Sequence, residues 1–193
     1  ISPSKINSAF YKNLHKVLSS KKVSFFQLRL KKESFKKRYA IGKKVKKICK
    51  KFNVKFLIND DVSLTKKLNA DGCHLGQKDM NIFEARKIIG NKLIGITCHN
   101  SIKLANRAVI NNADYIALGA FNFSKTKKVK HKATINLLKK VRKITKTQIV
   151  AIGGINSNNY KKLLLNKANF LAISGYIWNN KKLKPINAIK KLI

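Results

Sequence analysis

Short apolar runs alternate along this chain with segments whose apolar positions recur every three or four residues. The runs are FFQLRL (25–30), KFLIN (55–59), GCHLG (72–76), LIGIT (93–97), YIALGA (115–120), QIVAIGG (148–154) and FLAIS (170–174). They are continuously apolar, the pattern of parallel strands covered by helices on their outer face. Between them SLTKKLNA (63–70), NIFEARKII (81–89), SIKLANRAVINN (101–112), TINLLKKVRKI (134–144) and NNYKKLLLNK (158–167) read as amphipathic helices. Strand and helix in alternation predict an α/β protein with a parallel sheet.

Seven strands are visible, and a closed (β/α)8 barrel needs eight. The expected fold class is therefore α/β, a single (β/α)8 TIM barrel over residues 1–193, with its first strand largely missing at the N-terminus. In this reading Ile1-Ser2-Pro3 is the trailing end of strand 1, and a first helix follows around 7–19. An open doubly wound sheet is the rival, but it wants a Gly-rich fingerprint after its first strand, and none is present. A length of 193 residues, 44% of them hydrophobic, suits one core and one domain.

Composition changes the picture in two ways. Lys and Arg number 44 against seven Asp and Glu, a formal charge of +37. Such a charge invites a nucleic-acid reading, but the lysines are spread along the whole chain, without a basic tail or an interleaved aromatic stripe. A solvated basic surface that attracts small anions such as phosphate esters is the better expectation, with neither nucleic acid nor membrane as partner. The longest apolar stretch, FLAISGYIW, is too short to cross a bilayer. ISPSKINSAF lacks the features of a secretory signal, and Cys49, Cys73 and Cys98 make a poor disulfide framework. A cytoplasmic location is expected. Cys73-His74 and Cys98-His99 are adjacent pairs whose side chains point to opposite faces of a strand, so neither chelates one zinc ion.

The second change concerns where the acids fall. Four of the seven, Asp60, Asp61, Asp71 and Asp79, lie within residues 58–79. In a parallel barrel the reacting groups sit at the C-terminal ends of the strands. Gln27, Arg29 and Lys31, then Asn59, Asp60 and Asp61, Asp79, Thr97, the 119–128 loop, Gly153-Gly154 and Ser174-Gly175 all map to that rim. Asp60 and Asp79, from neighbouring strand ends, are the hard oxygen donors that Mg²⁺ prefers when phosphates and waters complete its shell. Asp61 is the better N-cap for a helix starting near Val62, and Asp71 before Gly72 reads as a turn residue.

Gln27, Arg29 and Lys31 alternate along QLRLK, so all three face one side, while Phe26, Leu28 and Leu30 face the helix layer. A cationic inner face needs an anion. SKTKK (124–128) offers hydroxyls and an ammonium for a phosphate. Paired glycines in GGI (153–155), and then Ser174-Gly175, let backbone amides approach one before a helix N-terminus. His74 and His99 read as core residues or as residues one step removed from the site, and no nucleophile set is convincing.

QLRLK, NDD, ADGCHLGQKDM, GITCH, GAFNFSKTKK, VAIGGI and AISGYIWN, in this order over about residues 22–178, resemble thiamine phosphate synthase. The resemblance implies a (β/α)8 barrel that joins hydroxymethylpyrimidine diphosphate to a thiazole phosphate with Mg²⁺, releasing diphosphate. It implies that the 27–31 strand (Gln27, Leu28, Arg29, Leu30, Lys31), Asn59, Thr97 and Lys127 bind the pyrimidine diphosphate. Of these, Arg29, Lys31, Thr97 and Lys127 would take part in catalysis. Asp60 and Asp79 would ligate magnesium. Ser124, Lys125 and Thr126, with Gly154, Ser174 and Gly175, would hold the thiazole phosphate. The partners implied are the two small-molecule substrates and a homo-oligomer. Three departures stand out: Leu30 where the family commonly has Glu, Asn122-Phe123-Ser124 where it has a proline followed by Thr, and Thr97 where Ser is usual. The alternatives are a thiazole tautomerase-like homologue of the same barrel, which lacks the second acid, and a basic polyanion-binding protein.

Overall fold

The computed structural model describes residues 1–123 and 130–192. Seven parallel strands pair in sequence order, β1 (Phe25–Leu28), β2 (Lys55–Asn59), β3 (Gly72–Leu75), β4 (Leu93–His99), β5 (Tyr115–Gly119), β6 (Gln148–Ile152) and β7 (Phe170–Ala172). The helices between them are α1 (Ser8–Ser19), α2 (Phe35–Lys51), α3 (Val62–Leu68), α4 (Ile82–Ile89), α5 (Ile102–Ile110), α6 (Ile135–Ile144), α7 (Tyr160–Leu165), α8 (Gly175–Trp178) and α9 (Pro185–Lys190). Among the described residues no helix is long and apolar enough to cross a membrane.

The strand faces divide the labour. Phe26, Leu28, Phe56, Ile58, Cys73, Leu75, Ile94, Ile116, Leu118, Ile149 and Ala151 are buried against the helix layer. The opposite face carries Gln27, Asn59, His74, Gly95, Thr97, Tyr115 and Ala117, brought level by the strand register. The sheet curls so that β1 and β7 approach each other without pairing. The rings of Phe25 on β1 and Phe170 on β7 lie 5.2 Å apart. Between these edges Ser2 N donates to Gln27 O at 2.9 Å and Ile1 N to Ile173 O at 3.1 Å.

Both ends of the units are built by repeated local chemistry. At the C-terminal rim, Asn7, Ser34, Asp61, Asn81, Ser101 and Thr134 each cap a helix by accepting from the backbone N–H three residues on, which satisfies a donor the helix itself cannot. At the opposite end, Asp71, Asp114 and Asn169 form equivalent clamps. Each donates its N–H to Phe56, Ile94 or Ile149 on the preceding strand, and its side-chain oxygen accepts that same residue's N–H at 2.8 Å. Cations complete two of the clamps closely, Arg86 at 2.9 Å from Asp114 and Arg142 at 2.6 Å from Asn169. Asp71 is thus more than a turn residue: it ties β2 to the start of β3.

The residue two before each clamp, Asn69, Asn112 or Lys167, has a positive φ of 46°, 58° or 74°, closing the helix before it with the N–H of the following alanine on a carbonyl five residues back. Asn adopts this conformation at little cost, whereas Lys167 holds it under strain. Lys167→Gly is expected to stabilise the protein by about 1 kcal/mol, raising Tm by about 2–4 °C in a thermal melt.

Candidate active site

The rim residues of β1 to β4 converge. Gln27 is buried, and its Nε2 donates to Asn59 Oδ1 at 2.9 Å. Strand β1 ends at Leu28, two residues earlier than its apolar pattern suggested, yet the alternation persists: Leu30 is buried and Lys31 exposed. Leu28 and Leu30 point their side chains into the helix layer, leaving only their backbone to the rim. Lys31 Nζ lies 2.7 Å from Asp60 Oδ2.

Asp60 sits at φ 65° and donates its N–H to His74 O at 2.8 Å, which turns it out of β2 toward β3. Its neighbour Asp61 takes the other role open to a carboxylate here. Asp61 Oδ1 accepts from Leu64 N at 2.8 Å as the N-cap of α3, and Oδ2 pairs with Arg38 at 2.9 Å.

Asp79 reaches back over its own loop, Oδ2 accepting from Gly76 N at 2.7 Å. Burial raises its pKa, and the carboxylate of Asp60, within hydrogen-bonding reach, raises it further; the Gly76 N–H and Lys31 pull the other way. Two acids from adjacent strand ends therefore face each other beside one lysine. Lys31, Arg38, Asn59 and Asp60 also line a cavity of about 250 Å³.

Deeper in the lumen, His74 Nε2 is 2.8 Å from Thr97 Oγ1 and Nδ1 is 3.0 Å from the Tyr115 hydroxyl. Burial lowers the His74 pKa to about 4; Asp60 opposes the shift and Arg29 adds to it. The imidazole is neutral at pH 7. An unfolded His74 takes a proton near pH 6.5, whereas the folded one resists until about pH 4. Its contribution is therefore present above pH 6.5 and is lost as pH falls toward 4. Urea unfolding is expected to show about 2 kcal/mol less stability at pH 5 than at pH 7.5, with most of that slope gone in His74→Gln.

Two residues unremarked in the sequence hold Thr97 in place. Gln77 Nε2 donates to Thr97 O at 2.5 Å, and Arg107 Nη2 donates to Gln77 Oε1 at 2.6 Å. Gln77 lies within a motif already singled out, so its neighbourhood carried a signal; Arg107, on the exposed side of α5, carried none. Cys49, Cys73 and Cys98 are buried free thiols, each pushed by burial up to about 12 and so unsuited to nucleophilic work.

Gly154, Ser174 and Gly175 lie across the rim, at the ends of β6 and β7. Phe121 N donates to Ile152 O and Asn122 N to Gly153 O, both at 3.1 Å, which zips the β5 loop onto the end of β6. Ser174 spends its hydroxyl on Ser2 O at 2.9 Å and opens α8. Ser124, Lys125, Thr126 and Lys127 fall outside the described residues.

A family model described as thiamine monophosphate synthase matches residues 1–177. The chain belongs to that family. It is 67% identical over 193 residues to the thiamine-phosphate synthase of Pelagibacter ubique, covering 100% of this chain and 93% of the relative. It is 36% identical over 198 residues to the thiamine-phosphate synthase of Erythrobacter litoralis, with the same two coverages. In fold it is similar to the solved thiamine phosphate pyrophosphorylase of Pyrococcus furiosus, with a TM-score of 0.86 at 24% identity over 99% of this chain and 90% of the other.

Proposed function

We propose that the protein is a transferase joining 4-amino-5-hydroxymethyl-2-methylpyrimidine diphosphate to a thiazole phosphate, forming thiamine phosphate and diphosphate. One observation carries this reading: Asp60 and Asp79 face each other on adjacent strand ends, with Lys31 beside them. Like charges this close call for a cation. The donor set fits Mg²⁺, a hard ion that takes one or two carboxylates and fills its shell with water and substrate phosphate. Asp60 and Asp79 would hold it. When bound, the ion supplies charge neutralisation to the departing diphosphate.

The side chains of this protein do the rest. Arg29, Lys31 and Lys127 would bind the diphosphate oxygens, with Lys31 exchanging its carboxylate partner for phosphate. Thr97 would add a hydroxyl, while Gln27 and Asn59 orient the pyrimidine end. Ser124, Lys125, Thr126, Gly154 and the amides of Ser174 and Gly175 would hold the thiazole phosphate. Loss of diphosphate leaves a carbocation stabilised by the pyrimidine, which the thiazole nitrogen captures. Such a step needs fixed cations at the leaving group and no protein nucleophile. We also assign Ile1 and Ser2, hydrogen-bonded to both β7 and β1, to the place of an eighth strand that closes the barrel.

Incubating the protein with both substrates and Mg²⁺ tests this reading. Thiamine phosphate and diphosphate are expected in equal amounts. Isomerisation of the thiazole with no thiamine phosphate formed would instead favour a tautomerase.

A further inference from the structure

We propose that His74 is a positioning residue which, as the tautomer with its proton on Nε2, makes the Thr97 hydroxyl a hydrogen-bond donor toward the diphosphate. The proposal rests on the reading of Thr97 as a diphosphate contact. It adds to that reading what decides which way the hydroxyl points.

The argument starts from Gly95, where a Cβ would lie 1.9 Å from the ring of Tyr115. Only a glycine there admits the tyrosine, and Tyr115 then stacks on His74 with ring centroids 5.6 Å apart and planes 20° from parallel. The stack sets the imidazole edge-on between two hydroxyls, Tyr115 at Nδ1 and Thr97 at Nε2. A neutral imidazole has one donor and one acceptor, so its two neighbours must play opposite parts.

Tyr115 settles which is which. Tyr115 is half-buried as a residue, but its hydroxyl is enclosed deeply enough that burial raises its pKa strongly, and among the described residues His74 Nδ1 is its one hydrogen-bond partner. A buried O–H without an acceptor costs the full desolvation of that group. Tyr115 therefore donates to Nδ1, which must be unprotonated, and Nε2 carries the hydrogen. Nε2–H donates to Thr97 Oγ1, and the Thr97 hydrogen is left for another acceptor.

The direction matters because of what the site binds. Phosphate oxygens accept and do not donate. With the other tautomer, Thr97 would give its hydrogen to Nε2 and turn lone pairs toward the anion. The backbone of Thr97 is fixed separately, its carbonyl accepting from Gln77, so His74 acts on the hydroxyl and not on the strand.

Two measurements on the intact protein test the proposal. In protein labelled with 15N at histidine, the signals absent from His74→Gln identify His74. They are expected to show a bare Nδ1 and a protonated Nε2; a protonated Nδ1 would overturn the proposal whatever the enzyme does. In steady-state kinetics, His74→Leu is expected to lower kcat/KM for the pyrimidine diphosphate about thirtyfold while leaving KM for the thiazole phosphate within about twofold. His74→Gln, whose amide N–H₂ can donate to Thr97, should recover to within about fivefold of the parent. In a Thr97→Val background, His74→Leu should cost nothing further. Equal losses in the Gln and Leu variants, or additive losses in the double variant, would show that His74 only supports packing. A parent protein that makes no thiamine phosphate would refute the functional reading, while the spectrum would still decide the tautomer.

Discussion

Asp79→Asn is expected to lower turnover about a thousandfold while leaving Tm at or above that of the parent. The two effects have one cause. Asp79 is held partly buried, and the carboxylate of Asp60 beside it makes it harder still to ionise. An amide keeps the shape and still accepts from Gly76 N, but removes the repulsion along with the oxygen charge that a divalent ion would use. Asp60→Asn should lose turnover similarly, and it also deprives Lys31 of its 2.7 Å partner. Loss of activity with no loss of stability is the mark of a site whose charges are arranged for a ligand. Activity that falls only in proportion to Tm would instead mean that Asp79 is a loop staple. Mg²⁺-dependent diphosphate release alongside thermal melts separates the two outcomes.

Gly154→Ala is expected to cost about 3 kcal/mol in urea unfolding and to abolish most of the thiazole phosphate turnover. Gly154 has φ +60°, and a Cβ built on it would lie 2.2 Å from Phe123 O and 2.7 Å from Asn122 C. Those neighbours are backbone, so relief requires the β5 loop to lift off the end of β6, carrying with it the start of the segment that bears Ser124 to Lys127. Gly90 provides the control: its φ is +58° and a Cβ there meets nothing within 4 Å. Gly90→Ala should therefore meet no steric clash, only the cost of holding an alanine at φ 58°, ψ −131°, outside the left-handed helical region.

The legibility of this chain followed the strength of its local signals. Strand β2 spans the residues its apolar run marks, 55–59, and the 134–144 helix pattern is off by one residue. Asp60 and Asp79 stood out because acids are scarce in so basic a chain. Helix α2, 17 residues long, drew no attention: its buried Ile41, Val45 and Cys49 recur at helical spacing but are diluted by lysines. The FLAIS run marks a strand over 170–174 that ends two residues earlier, at Ala172, and the helix expected after Ser174-Gly175 is the four-residue α8. The clamps at Asp71, Asp114 and Asn169 depend on strand register, which single-chain patterns do not carry. Arg38, Gln77 and Arg107 act through partners 20 or more residues away, a separation at which sequence spacing says nothing.

The central claim, that Asp60 and Asp79 share one divalent cation, is tested most directly by paramagnetic resonance with Mn²⁺ in place of Mg²⁺. The protein is labelled with 13C at its aspartate carboxyls and saturated with the pyrimidine diphosphate. Strong 13C coupling to the manganese is expected in the parent, with about half remaining in Asp79→Asn and none in the Asp60→Asn/Asp79→Asn double variant. Manganese bound with no 13C coupling in the parent, or coupling unchanged in the double variant, would contradict it.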